Sequence, residues 1–337
     1  LVWVGKFKLR LLIMLLTANH HFSLGKVALN SPSAIEVGYL LVGGGGNGGI
    51  GAIDAYVDGL VAGGGGGGGG QCLTGFINLQ RNTTYPINIC LDGSNASRGQ
   101  TTFAGLTALT GGNGGGAYGP PQTYDGGSGG GGGGGGFNVG NTVYGVPVRS
   151  GGPGNLSAFN ATTGSYGSAS LRGGGGGGSG SVFGSPTGAR EPGAMGTDVA
   201  GWGGNPVAFR IANYTIIVGA GGGGATLYQS ANRGQGGTYN FTTKYGGDGA
   251  YFTTFGNPQS AANRVNATNA PFANSGSGGG GTVGQGGTPG YGSSGRVMIF
   301  YPGASRATLT GANQSTASGA GYTIHFFYAA GTISFSS

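Results

Sequence analysis

The sequence predicts a mainly β protein with little or no α-helix, in which short antiparallel strands and hairpins accompany a packed bundle of polyglycine II helices, a glycine-rich slab. Three observations carry this expectation. Glycine supplies 88 of the 337 residues and sits in blocks, eight in a row at 63–70 and 129–136 and six at 173–178. Short apolar segments alternate with those blocks. No segment shows a capped apolar stripe of 3.6-residue period, the mark of a helix, and 225–233 is the only modest candidate.

Taken in order, the first strand is Ala34–Val42 (AIEVGYLLV), which runs straight into Gly43. The segment 72–91, CLTGFINLQRNTTYPINIC and Leu91, places Leu73, Ile77, Leu79, Tyr85, Ile87, Ile89 and Leu91 on odd positions. That is the period of strands with one apolar face. A turn near 80–83 would fold the two halves into a hairpin, with paired positions summing to 162. Leu73 then faces Ile89, Ile77 faces Tyr85, and Cys72 lies opposite Cys90, within reach of a cross-strand disulfide. The disulfide is expected in an oxidising compartment, and two thiols in a reducing one. Further strands are read at 101–109, 206–218 and 295–301.

Glycine has no side chain to pack and loses the most backbone freedom on folding, so these blocks cannot build an ordinary core. As linkers they would be random coil and would leave the strands nothing to pair with. The ordered alternative is the extended helix with three residues per turn and about 3.1 Å rise, which makes no internal hydrogen bonds. Its amides must therefore bond to neighbouring runs. Bulkier segments, such as 117–124, 137–148 and 181–192, then fall at the rims.

Composition excludes several classes. Charged residues are 7% of the chain and aromatics 10%, so solvated disorder is not expected. Glycine lacks a strict three-residue period and proline numbers 13, which excludes collagen. The net charge of +7 is spread as single arginines, with only Lys6, Lys8 and Arg10 clustered, and no stripe suited to nucleic acid. Residues 1–29 open on that basic cluster followed by an apolar stretch, 11–16, too short to span a bilayer. A weak signal, a truncated lead-in and a buried strand fit it equally.

No catalytic or cofactor motif stands out. Glycine blocks mimic phosphate loops, but no helix follows the strand–glycine unit at 34–49. GGIGAID at 48–54 sets Asp54 one residue too late for a calcium repeat, and GGDG at 246–249 is a fragment. The eight acidic residues form no close pair, and His20, His21 and His325 lack partners at metal spacing. His325, inside an aromatic strand, reads as a satisfied strand histidine. Neither a cofactor nor a metal is implied. Eight N-x-S/T sequons stand at Asn82, Asn95, Asn155, Asn160, Asn213, Asn240, Asn266 and Asn313.

The order of these pieces resembles the glycine-rich domain of bacteriophage tail-fibre and other virion structural proteins. The resemblance rests on IEVGYLLVGGGG at 35–46, the hairpin at 72–91, TTFAGLTALTGGNGGG at 101–116, TIIVGAGGGG at 215–224 and GSSGRVMIFYP at 292–302. It covers roughly 30–302, departs from the family where the hairpin ends ICLDGSNAS, and leaves 303–337 as a C-terminal hairpin or the start of a second unit. It implies a non-enzymatic, extracellular or virion-borne structural protein. Such a protein would bind a host-surface glycan or outer-membrane protein, assemble with itself or other fibre proteins, and insert into no membrane. Aromatics among Gly, Ser, Asn and Pro suit adaptable binding loops. Tyr118, Tyr124, Phe137, Tyr144, Phe183 and Trp202 are the receptor-binding candidates on that ground. Two other readings stay open: a secreted cellular surface or matrix protein, and an ice-binding protein.

Overall fold

The computed structural model describes residues 33–53, 61–95, 98–116, 200–226, 234–239, 242–253, 264–283, 287–311 and 314–336. Among them the chain is mainly β, with short antiparallel strands in small sheets and no helix. In chain order the strands are β1 (Ala34–Val42), β2 (Ala52–Ile53), β3 (Val61–Ala62), β4 (Cys72–Gln80), β5 (Thr84–Asn88), β6 (Thr101–Phe103), β7 (Leu106–Ala108), β8 (Val207–Ile211) and β9 (Tyr214–Val218). They continue with β10 (Thr238–Tyr239), β11 (Thr243–Lys244), β12 (Tyr251–Phe252), β13 (Arg264–Val265), β14 (Arg296–Pro302), β15 (Ala307–Gly311), β16 (Gln314–Gly319), β17 (Tyr322–Phe327) and β18 (Gly331–Phe335).

Two five-stranded sheets face each other, one ordered β16-β17-β14-β1-β4 and the other β15-β18-β5-β6-β7. Ile35, Val37, Leu41, Val297, Ile299 and Tyr301 of the first sheet meet Ile87, Phe103, Ile333 and Phe335 of the second in one core. The opposite face of the first sheet, with Leu40, Val42, Met298, Phe300 and Ile324, is covered by the β8–β9 hairpin through Val207, Phe209, Ile216 and Val218. Burial on both faces explains why β1 and β14 read as nearly continuous apolar runs. Each fully buried side chain of this size contributes roughly 1.5–3 kcal/mol.

The expected 72–91 hairpin is corrected. Its two strands form, but they do not pair with each other. β4 pairs with β1, from Ala34↔Gln80 to Val42↔Cys72, while β5 pairs with β18 and β6. The chain crosses between sheets at 81–83, where Asn82 takes a positive φ of 58°. Leu79 of β4 and Ile87 of β5 enter the same core from opposite sides, so a sandwich corner satisfies the odd-position pattern as well as a hairpin would. Within 303–337 a hairpin does form, β16 and β17 joined through Ala320 and Gly321, and it is built into the sandwich. β16 and β17 extend the first sheet, and β15 and β18 the second.

Glycine runs leave one end of this sandwich. Val42 pairs with both Cys72 and Arg296, so the run after β1 and the runs before β4 and β14 emerge side by side. Beyond Val42 the bonding period changes from two to three. Gly43, Gly46 and Gly49 donate to Gln71, Gly68 and Gly65 at 2.8, 2.7 and 2.7 Å. Gly64, Gly67 and Gly70 donate to Thr282, Gly279 and Gly276 at 2.8, 2.9 and 2.7 Å, and the intervening Gly65 and Gly68 to Gly115 and Gly112 at 3.0 and 2.8 Å. The third face of this run, Gly66 and Gly69, lies against the carbonyls of Gly222 and Gly219, where an added Cβ would sit 2.1 Å from each oxygen.

The run at 275–283 is enclosed. It bonds to 43–49, 64–70, 219–226, 246–250, 268 and 290–294, and around that ring each run also bonds to the next. This is hexagonal packing made by main-chain amides. Gly219 and Gly276 take positive φ of 76° and 63° at the sandwich ends of their runs, a backbone turn that glycine makes without strain. A small apolar cluster of Ala225, Ala250, Phe252 and Val283 lies at the other end.

Candidate functional site

Where the sandwich meets the array, separate segments bring their aromatic rings together. Tyr214 opens β9 and Phe326 nearly ends β17, and their rings meet edge to face at 6.0 Å. Phe326 stacks on Tyr328 at 6.2 Å with 10° between planes. The guanidinium of Arg296, first residue of β14, lies 5.8 Å over the Tyr328 ring. Tyr245, just past β11, stacks on Phe272 at 4.6 Å. Phe272 is 42% exposed, while Tyr214, Tyr245 and Tyr328 are half-buried.

Arg296 ties the strip together. Its Nε–H donates to the Asn274 carbonyl and its Nη2 to that of Ala273 at 3.5 Å. Both carbonyls follow directly on Phe272, so ring and guanidinium flank one turn. Burial lowers the Arg296 pKa, and the neighbouring Tyr328, Cys72 and Tyr245 act against that. Burial raises the Tyr245 hydroxyl pKa, with Tyr239 adding to it and Arg296 opposing. Among the described residues no carboxylate pairs with Arg296, whereas Lys244 is taken by Asp248 at 2.7 Å.

Of the receptor-binding candidates, Trp202 lies half-buried in the run 200–206. Tyr118, Tyr124, Phe137, Tyr144 and Phe183 lie outside the described residues, as do His20 and His21. The residues missed by sequence reasoning are Tyr245, Phe272, Arg296 and Tyr328. Tyr245 in KYGG and Phe272 in APFANSG carry the same signal as the named six, a lone ring among Gly, Asn or Pro. Their convergence had no local signature.

His325 is a satisfied strand histidine, as expected. It is 1% exposed, and both ring nitrogens are bonded. The Tyr301 hydroxyl accepts the Arg306 amide at 3.1 Å, so its own proton goes to His325 Nε2 at 2.8 Å. Nδ1 then carries the ring proton and donates to Thr316 Oγ1 at 2.9 Å. Among the described residues no cluster of His, Cys, Asp and Glu could hold a metal ion, and no helix is long and apolar enough to cross a membrane.

The expected Cys72–Cys90 disulfide is absent from the structure, where both residues are buried thiols. The register that would have joined them is not formed, because β4 pairs with β1 instead. Burial raises the Cys90 pKa most; Arg98 and a Gly44 backbone bond oppose it and Asp92 adds to it. Both thiols should therefore resist alkylation in the folded protein and react promptly in denaturant. Intact mass should not change with reductant, and a two-dalton gain would show the bridged form. No protein-family model, curated protein or solved structure matches the chain.

Proposed function

We propose that this is a non-enzymatic structural protein of a virion, a tail-fibre or tip adhesin that displays a receptor-binding rim on a rigid glycine platform. The observation that carries the reading is the joint between array and sandwich, where a strip of rings from distant segments is held by packed backbone. The bonding period of three supports taking the runs as polyglycine II helices, which have three residues per turn. Rigid rings with few rotatable bonds give contact area at low entropic cost, as attachment surfaces require. The resemblance to phage glycine-rich domains supports the extracellular, virion-borne setting and a host-surface glycan or outer-membrane protein as partner.

The test is attachment of the labelled full chain to candidate host cells. Replacing Tyr245 and Phe272 together by alanine should weaken attachment about tenfold, since a ring contact contributes roughly 0.5–1.5 kcal/mol beyond its buried area. Undiminished attachment with an intact fold would remove the strip from the reading. A secreted cellular surface protein is the second reading. It is favoured by the exposure of the four described sequon asparagines, Asn82, Asn95, Asn213 and Asn266, all of them outside the strands. Neighbouring tail or capsid genes, as against secretion genes, would separate the two.

A further inference from the structure

We propose that the strip recognises an acidic sugar, a pyranose carrying a carboxylate, with the sugar face on Phe272 and the carboxylate on Arg296; this rests on the attachment reading above. Three observations support it. Phe272 is among the few large apolar side chains left exposed, and Tyr245 stacks on its ring and holds it in place. A fixed aromatic plate beside a polar anchor is the ordinary way to hold a sugar ring.

Arg296 is the second observation. A guanidinium has five N–H donors and stays charged in a protein. Among the described residues only Nε and Nη2 have acceptors, both of them neutral carbonyls. Among those residues Nη1 faces no acceptor, and no carboxylate neutralises the charge. Two carbonyls and the Tyr328 ring hold the guanidinium but supply no counter-ion, and its natural complement is a planar two-oxygen anion. The third observation concerns competition. Lys244, the one lysine among the described residues, is already neutralised by Asp248. The anionic partner is thus directed to Arg296, and the chain's charge of +7 favours approach of an acidic polymer.

The probes are oligogalacturonate with its methyl ester, and sialyllactose with lactose, titrated calorimetrically into the full chain. At least one acidic probe should bind ten times or more tighter than its neutral counterpart, and its affinity should fall as salt rises. Phe272→Ala, a surface change that leaves the core untouched, should weaken binding of that probe severalfold. Arg296→Lys keeps the charge but loses the planar fork, and should abolish the preference for the acid. Equal binding of acid and neutral forms, or no binding of either acidic probe, overturns the proposal. Neither result touches the strip's part in attachment, which is lost only if the Tyr245 and Phe272 double variant attaches to cells as well as the parent.

Discussion

Replacing Gly279 by alanine should destabilise the protein by at least about 3 kcal/mol, the upper range of core overpacking. Gly279 lies in the enclosed run, where its amide donates to Gly46 at 3.0 Å and its carbonyl accepts from Gly67 at 2.9 Å. A Cβ there would stand 2.0 Å from the Gly290 oxygen and 2.3 Å from its carbonyl carbon. Those atoms are backbone and are themselves fixed, because the Gly290 amide bonds to Gly280 at 2.8 Å. No rotamer change can relieve the clash, so two runs must separate and their bonds lengthen together. Gly319 is the control. It lies in edge strand β16 with a φ outside the left-handed region, and an added Cβ would find only Tyr214 and Asn213 side chains at 3.7 and 3.8 Å. Gly319→Ala should change stability by less than about 0.5 kcal/mol. Thermal unfolding should show a midpoint lowered by roughly 6 °C or more for the Gly279 variant and hardly moved for the other. Two equal midpoints would mean that the runs do not pack as described.

Lowering the pH from 7 towards 4 should cost about 3 kcal/mol through His325 alone. Burial pushes its pKa from 6.5 down to about 4. The neutral ring is the form the fold accepts, since Nε2 receives the Tyr301 proton and only Nδ1 donates. Above pH 6.5 the ring is neutral in both folded and unfolded chains, and the contribution is fully present. Between 6.5 and about 4 the unfolded chain binds a proton that the folded one refuses, so stability falls with pH. Below that window both forms are protonated and the slope ends. Urea unfolding of the parent and of His325→Gln at pH 7 and 4.5 checks this. The parent should lose stability that the variant does not lose, and identical pH slopes would remove His325 as the cause.

Much of the sandwich is legible residue by residue. The apolar run Ala34–Val42 has the bounds of β1, and 295–301 lies within one residue of β14, because apolar runs stop where glycine begins. The segments 101–109 and 206–218 each carry the pattern of one strand but fold as hairpins. Their turns use Ala104 and Gly105 at φ 47° and 81°, and Ala212 at φ 52°, without the Asn-Gly or Asp-Gly pairs that advertise such turns. β15 and β16, rich in Thr and Ser, carry no apolar strand pattern, since edge strands owe their shape to their partners rather than to an apolar face. The stacking of glycine runs followed from their need for external acceptors. Which run lies beside which did not, because bare runs are chemically identical and only the connected strands assign their places. The aromatic strip was hidden for a related reason: Tyr214, Tyr245, Phe272, Arg296 and Tyr328 are neighbours only after the sandwich and the array have both formed.

The packing of glycine on glycine has a thermal consequence. Melting the array would wet peptide groups far more than hydrocarbon, and the two contribute to the heat capacity of unfolding with opposite signs. The increment per residue should therefore fall below that of an oil-cored domain, flattening the curve of stability against temperature. A protein built this way would hold nearly constant strength from a cold environment to a warm one, yielding to heat late and to chilling hardly at all.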